Sequence, residues 1–216
     1  RVAENDLIFA EIVSCLSDKI VLQQESKLEM IRLLETISVR RLAYFLEHCF
    51  PRFEDFAFDK NWRVRFGLLE TIENLLKVYK DNVDEEALRT ILKLNEHFKE
   101  DLVLCNRRLL FTNIMYYIEN YPLTGFKKHG MVEELLKFWV GHRNYLIPSS
   151  AIQSLLLLGR VYESNDLYDL VNYIFLINLN ERVPNVKVTM LKTLKELKAS
   201  WPNPGYFFFN DTATTE

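Results

Sequence analysis

The chain repeats itself, and this repetition limits its fold more than any other feature of the sequence. The segment Leu33-Leu34-Glu35-Thr36-Ile37 recurs as Leu68-Leu69-Glu70-Thr71-Ile72. Alignment on this segment places five residues at the same reference position: Glu29, Val64, Asn106, Ile147 and Val186. These residues lie 35, 42, 41 and 39 residues apart. A period of this length is typical of stacked supersecondary units.

Apolar side chains recur four, five, eight and eleven residues after each reference position, a spacing that forms one stripe along a helix. In the first unit Arg40 breaks this pattern. The residue seven positions on is small and polar in every unit: Thr36, Thr71, Asn113, Ser154 and Thr193. We call this helix the B helix of each unit. We expect five of its stripe residues to be almost inaccessible: Leu69, Ile72, Ile114, Leu155 and Leu194.

A second helical segment, the A helix, precedes each B helix. The sequence predicts A helices near residues 6–16, 39–50, 84–98, 130–141 and 166–179. A single hairpin of this kind cannot bury its apolar stripe, whereas stacked neighbours can. We therefore predict an all-α fold in which residues 1–205 form an α-solenoid, or α-α superhelix, of about five helical hairpins.

Composition agrees with helices and argues against several classes of protein. The 216 residues include only 6 Gly and 6 Pro, which is few for the turns of a β-sandwich or barrel. A net charge of −3 argues against a general nucleic-acid binder. No apolar run reaches the roughly 18 residues of a membrane span. Because the chain starts at Arg1 without a Met, we expect a fragment truncated at both ends.

The last residues, 206–216, do not resemble the repeats. The stretch Asn210-Asp211-Thr212-Ala213-Thr214-Thr215-Glu216 can be back-translated into a common sequencing-adapter end. We interpret residues 206–216 as a non-native tail and exclude them from the fold. The alternative is a native, frayed C-terminus.

The unequal repeat spacing favours HEAT units over tetratricopeptide units, which keep close to 34 residues. Three turns are more specific: Asp59-Lys60-Asn61-Trp62-Arg63-Val64-Arg65, Arg143-Asn144-Tyr145-Leu146 and Glu181-Arg182-Val183-Pro184-Asn185-Val186-Lys187-Val188. In type and order they resemble turns of the HEAT-repeat scaffold (A, regulatory) subunit of protein phosphatase 2A and of the related regulatory subunit 1 of protein phosphatase 4. The resemblance covers roughly residues 56–197. Three departures from it are Pro148, in place of a basic residue, Lys187, in place of Arg, and the turn of the third unit, interpreted as having no Asp at its start.

This resemblance implies a non-catalytic scaffold. Its turn ridge, the row of turns inside the hairpins, would bind a Ser/Thr phosphatase catalytic subunit or a regulatory subunit. It further implies a cytoplasmic location, with the nucleus as a second site, and no cofactor, nucleic acid, membrane or small-molecule substrate as partner. The partner-binding residues that it implies are Trp62, Arg63, Asn144, Tyr145 and Asn185.

Two of these residues have an alternative structural role. Trp62 is either an interface anchor or a side chain packed on a neighbouring hairpin. Asn185 is either a contact residue or a helix N-cap. Four other residues are expected to form a structural ladder, in which Arg65 and Lys187 pair with acidic groups near the preceding turn; Asp59 and Glu181 are the candidates.

The sequence argues against an enzyme. The four His residues show no His-x-x-x-His spacing, and the chain contains no Gly-rich phosphate loop. His48 and Cys49 are adjacent, so on a helix they point about 100° apart and cannot act as a nucleophile and base. We predict no catalytic, cofactor or metal site. The alternative function is a HEAT-repeat transport adaptor of the importin-β kind, which binds cargo or a small GTPase.

Overall fold

The structure, a computed structural model, describes residues 23–80, 90–121, 128–158, 164–178 and 182–200. Every regular element in these ranges is helical, and none of them contains a strand. The predicted all-α class is therefore confirmed. The first predicted A helix and the tail 206–216 lie outside the described residues.

The helices have the following bounds: α1 (Gln24–Arg40), α2 (Leu42–Tyr44), α3 (Phe50–Asp55), α4 (Trp62–Val78), α5 (Leu104–Asn120), α6 (Lys128–Val140), α7 (Pro148–Leu158), α8 (Ser164–Asn178) and α9 (Pro184–Ser200). A π-helical turn (Phe45–Cys49) joins α2 to α3, and a 3-10 turn (Phe56–Phe58) follows α3. Another 3-10 turn (Leu94–Phe98) precedes α5.

The second predicted A helix is displaced along the chain. It was expected over residues 39–50, but the helical segment begins at Leu42 and ends at Phe58. It begins later because α1 continues to Arg40. Near Pro51 this segment changes from a π-helical turn to an α-helix, because the proline has no N–H to donate to the preceding turn. The fourth and fifth predicted A helices correspond closely to α6 and α8.

The chain divides into two compact units, residues 1–113 and 114–216. In the first unit α1 and α4 pack side by side. Their beginnings are joined by Gln24 and Asn61, whose side chains lie 2.5 Å apart. Their ends are joined by the Tyr79 hydroxyl, which donates to the Ser38 carbonyl. The two helices therefore run in the same direction.

The start of α5 continues this parallel arrangement within the first unit. The Asn106 side-chain amide donates to the Trp62 carbonyl at 3.4 Å, and the Asn113 amide donates to the Leu69 carbonyl at 3.0 Å. Both bonds join residues 44 positions apart. A constant offset along two helices means that α4 and the first part of α5 are parallel and in register.

In the second unit, helices that follow one another in the chain contact each other: α6 with α7, α7 with α8, and α8 with α9. Alternate helices are also in contact, since α6 packs on α8 and α7 packs on α9. Both helices of one hairpin therefore meet their counterparts in the next hairpin.

The predicted stripe forms much of the core. Leu69, Ile72, Ile114 and Leu155 are buried, as expected. The prediction for Leu194 is wrong, since this side chain is only partly buried. The side of α9 that is buried carries other residues, one turn apart: Val186, Met190, Thr193 and Leu197.

Candidate protein-interaction surface

The turn before α4 holds its own shape through short polar side chains. The Asn61 N–H donates to Asp59 Oδ1 at 2.8 Å. The Asn61 side-chain oxygen accepts the Arg63 N–H at 3.0 Å, so Asn61 is the N-cap of α4. These local bonds fix Trp62 and Arg63 as the first two residues of the helix.

The same turn is bonded to α1. The Lys27 ammonium lies 2.5 Å from Asp59 Oδ2, and the Asn61 amide donates to Gln24. The Asp59 side chain is largely buried in this pair. The position of the turn is therefore set by α1 as well as by its own sequence.

Arg65 joins this turn to the next one along the chain. Its Nε lies 2.6 Å from Asp101 Oδ2, and its Nη2 donates to Asp101 Oδ1 at 3.0 Å. Its Nη1 donates to the Asp59 carbonyl at 2.6 Å. A guanidinium that binds a carboxylate through two nitrogens is held in both position and orientation. The turns at Asp59 and Asp101 therefore have a fixed relationship.

Asp101 is the buried centre of this connection. Burial alone would raise the pKa of its carboxyl, but hydrogen bonds from Arg65, Asn106 and the Val103 N–H outweigh burial and hold the pKa below its ordinary value. The Asn106 amide lies 2.8 Å from Asp101 Oδ2. In turn, the hydrogen bond to Asp101 raises the pKa of Arg65. Asp101 is therefore charged at neutral pH and bound on several sides.

The sequence interpretation missed both Asp101 and its neighbour Arg107. Arg107 is buried, donates to the Asp101 main-chain carbonyl, and has a pKa lowered by that burial. The sequence contained a signal for the basic residue, because Arg107 lies one position after the reference residue of its unit, as Arg65 does. The same register also marked Asp101, which lies five positions before its reference residue as Asp59 and Glu181 do, so the interpretation that this turn has no Asp at its start is wrong.

The predicted ladder has a different pairing from the one expected. Arg65 contacts Asp59 only through the Asp59 carbonyl; its ionic partner is Asp101, which precedes the following B helix. The Asp59 carboxylate pairs with Lys27 of the preceding B helix. Lys187 is exposed, and Glu181 lies outside the described residues, so their pair stays a prediction.

Trp62 and Arg63, the first two residues of α4, form an exposed aromatic–cation pair. The Arg63 guanidinium carbon lies 4.7 Å from the centre of the Trp62 ring. Trp62 is 36% exposed, and its ring meets Phe66 of the same helix edge to face at 6.4 Å. Of the two roles considered for Trp62, this exposed position favours the interface anchor.

Further exposed apolar side chains stand on the same two turns. Phe58 is exposed, and its ring contacts that of His97 in a tilted arrangement with ring centres 4.5 Å apart. Leu102 is also exposed and follows Asp101 directly. Arg65 joins these two turns, and we call their exposed residues the first-unit ridge: Phe58, Trp62, Arg63 and Leu102. The sequence interpretation did not single out Phe58 or Leu102.

Asn144 and Tyr145 lie in the turn before α7, in the second unit. Asn144 shapes that turn, since its side-chain oxygen accepts the Leu146 N–H at 3.1 Å and its N–H donates to His142. Tyr145 and Leu146 are both exposed. Asn144 therefore has a local structural role, whereas the Tyr145 side chain is exposed and does not form part of the core.

Asn185 is exposed at the start of α9. The helix begins at Pro184, a favoured residue for the first helical position. Asn185 is therefore the second helical residue, so the alternative role as an N-cap is wrong. It stands at the beginning of a helix that packs on α7, and Tyr145 stands just before α7.

A groove between α1 and α4 has an acidic lining. It encloses about 260 Å³ and is lined by apolar, polar and charged residues: Leu28, Ile31, Arg32, Glu35, Gly67, Glu70, Thr71, Glu73 and Asn74. Burial, followed by the nearby Glu73 carboxylate, raises the pKa of Glu70. A Cβ at Gly67 would lie 2.7 Å from Leu28 Cδ2, so the glycine permits close approach of the two helices.

The described ranges hold no cluster of three or more His, Cys, Asp or Glu side chains arranged to bind a metal ion. None of the helices in the described ranges is long and apolar enough to cross a membrane.

No protein-family model matches the chain, and no curated protein matches it.

Proposed function

We propose that the chain is a HEAT-repeat solenoid that acts as a non-catalytic scaffold or regulatory subunit. The parallel B helices α1, α4 and α5 support the repeat interpretation, as does the packing of α6 on α8 and α7 on α9. The bonds from Lys27 to Asp59 and from Arg65 to Asp101 connect successive turns in the same sense. Such nearest-neighbour connections are typical of a repeat array.

The partner that we propose is a Ser/Thr protein phosphatase catalytic subunit, with a regulatory subunit as a further partner. The partner class rests on the resemblance of the three turns to scaffold subunits of phosphatases 2A and 4. The observation that carries the binding role is the exposed Trp62–Arg63 pair at the start of α4. Trp and Arg are the side chains most enriched at binding hot spots.

The hydrogen bonds around this turn preorganise the Trp62–Arg63 pair for binding. Asn61 and Arg65 fix the backbone on either side of Trp62 and Arg63 before any partner arrives. A preorganised surface loses little conformational entropy on association, so more of the contact energy appears as affinity. The scaffold would contribute position and orientation, and the chemistry would belong to the phosphatase.

Affinity capture with matched variants tests this proposal. The chain, the double variant Trp62→Ala/Arg63→Ala and the control Lys77→Ala/Val78→Ala are each immobilised and exposed to purified Ser/Thr phosphatase catalytic subunit. The control removes one cation and one exposed apolar side chain from the opposite end of the same helix. We expect capture by the chain and the control only. Equal capture by both double variants would contradict the role of the ridge.

The acidic groove favours the second candidate, an adaptor of the importin-β kind. Glu35, Glu70 and Glu73 face one groove with Arg32 as its only lining cation. Such a surface complements a basic cargo segment. The variant Glu70→Gln/Glu73→Gln separates the two functions. It should retain the phosphatase subunit if the scaffold proposal holds, and it should lose binding of a Lys/Arg-rich peptide if the groove receives cargo.

A further inference from the structure

Asn95 is a polar side chain at a position where the second and fourth A helices are apolar. The offsets that align the B helices, 42 and 41 residues, pair it with Phe53 of α3 and with Leu136 of α6. Both of those side chains are fully buried. Asn95 is buried as well, with only 5% of its surface exposed. An amide therefore occupies a core position that the repeat pattern fills with apolar side chains.

The Asn95 side chain makes no hydrogen bond within the part of the chain that the structure describes. Neither its nitrogen nor its oxygen has a partner there. Two other buried asparagines of the first unit use their amides. Asn106 donates to the Asp101 carboxylate, and Asn113 donates to a main-chain carbonyl of α4. A polar group that is buried without a partner loses its hydrogen bonds to water, so the position of Asn95 is held at a free-energy cost.

The segment that carries Asn95 is also irregular. Residues 90–93 are α-helical, and the chain then tightens into the 3-10 turn Leu94–Phe98. The hydrogen bonds of a 3-10 turn have poorer geometry than those of an α-helix, and such a change within a helical segment often marks a hinge. Ile91 and Phe98 are fully buried on either side of Asn95. The segment is thus anchored by apolar side chains and weakened at its centre.

The 3-10 turn supports one residue of the first-unit ridge. The His97 ring contacts the Phe58 ring, with ring centres 4.5 Å apart. His97 Nε2 also lies 3.3 Å from Glu54 Oε1. Phe58 is 67% exposed, so His97 is a large part of what it packs against. Movement of the 3-10 turn would therefore change the surroundings of Phe58.

Asp101 is the fixed end of this segment. Its N–H donates to the Phe98 carbonyl at 3.1 Å, which connects it to the 3-10 turn. Its carboxylate is bound separately by Arg65 and Asn106. These bonds to the carboxylate involve no residue of the turn Leu94–Phe98. Asp101 and the start of α4 can therefore keep their positions while the turn opens.

We propose that Leu94–Phe98 is a conformational switch beside the first-unit ridge. In the closed arrangement, His97 packs against Phe58 and Asn95 is buried. In the open arrangement, Asn95 reaches water and Phe58 loses this contact, while α4 stays folded. A partner that contacts Phe58 would bind the two arrangements with different affinities and so shift the switch. This coupling to a partner rests on the proposed function, whereas the opening itself does not.

Amide hydrogen exchange of the full chain, followed by peptide mass spectrometry, tests the switch. We expect the amides of residues 94–98 to be at least about tenfold less protected than those in the middle of α4. Asn95→Leu removes both polar atoms at nearly constant size and should slow exchange at residues 94–98 by about tenfold. Asn95→Asp places a charge at the same position and should speed it. Neither variant should change exchange in α4.

Two further variants complete the test. Asn113→Leu is the matched control, because this buried amide donates to the Leu69 carbonyl, and it should give no added protection at residues 94–98. Phe58→Ala should speed exchange at residues 94–98 about twofold or more, because His97 loses its ring contact. An unchanged rate in Phe58→Ala would overturn the link between the switch and the ridge.

The outcome of Asn95→Leu decides the proposal. Equal slowing of residues 94–98 and of α4 would show that the substitution changed only global stability, and it would overturn the switch. Unchanged or faster exchange at residues 94–98 would show that burial of the Asn95 amide carries no cost, and it would overturn the switch as well. None of these measurements involves a phosphatase, so their failure is distinguishable from failure of the capture experiment.

Discussion

Arg65 and Asp101 lie 36 residues apart in the sequence and form a two-bond ion pair that joins the start of α4 to the turn before α5. The Asp101 side chain is almost completely buried, and that of Arg65 is mostly buried. The pair fixes the position of one turn relative to the next. The turn that it braces is the one that carries Trp62 and Arg63.

Removal of either partner of this pair should destabilise the chain strongly. Asp101→Ala leaves the Arg65 guanidinium without its carboxylate, and an uncompensated buried charge costs about 3–5 kcal/mol. The free energy of unfolding in urea measures the loss. Arg63→Ala is the matched control, because its guanidinium is exposed, and it should cost less than about 1 kcal/mol. Similar losses in the two variants would contradict the bracing role.

The pair should also make stability depend on acid pH. The pKa of Asp101 is lower in the folded chain than in the unfolded chain. The contribution of Asp101 to the free energy of unfolding is therefore fully present above its unfolded-state pKa of about 3.9. It is lost as the pH falls toward the pKa of the folded state. The difference in unfolding free energy between the chain and Asp101→Asn should shrink as the pH falls from 5 to 3. A difference that stays constant over this range would show that Asp101 is not the titrating group.

Two leucines of the second unit should respond very differently to truncation. Leu155→Ala opens a cavity in the core, since Leu155 is fully buried, and should cost about 2–5 kcal/mol. Leu191→Ala removes a mostly exposed side chain and should change stability by less than about 0.5 kcal/mol. Thermal melts of the two variants measure the difference. Equal costs would mean that the burial pattern of α7 and α9 is wrong.

The two described cysteines should differ in reactivity. Burial raises the pKa of the Cys49 thiol to about 11, so about one thousandth of it is thiolate at pH 8. Cys105 is only partly buried. With a maleimide at pH 8 and peptide mapping, Cys105 should be labelled in the native chain, and Cys49 should be labelled only after unfolding. Rapid native labelling of Cys49 would show that the segment containing the π-helical turn opens readily.

The sequence predicted the helical class and most of the core because both depend on a periodic pattern. The repeat position of Leu69 and Leu155 was enough to predict that both side chains are buried in the core. The burial of Leu194 was predicted wrongly because the pattern records which face is apolar and not whether a neighbour covers it. The same reason explains why Leu191, a stripe residue, is exposed.

The ladder shows a second limit of sequence reasoning. Arg65 was recognised as a structural residue, but the acidic group of the preceding turn, Asp59, was taken as its partner. Parallel packing of B helices brings the following turn closer to the guanidinium than a local pattern indicates, so Asp101 is the partner. The exposed residues Phe58 and Leu102 were missed for a related reason. Apolar residues in a turn have no periodicity that separates an exposed position from a buried one.

The central claim, that the ridge at Trp62 and Arg63 binds a Ser/Thr phosphatase catalytic subunit, is tested most directly by a dissociation constant. Titration calorimetry with the purified catalytic subunit should show binding to the chain and to Lys77→Ala/Val78→Ala with the same affinity. Trp62→Ala/Arg63→Ala should bind at least about 30-fold more weakly, a loss of about 2 kcal/mol, with a melting temperature close to that of the chain. Unchanged affinity together with a lowered melting temperature would show that Trp62 is a structural residue and would contradict the account.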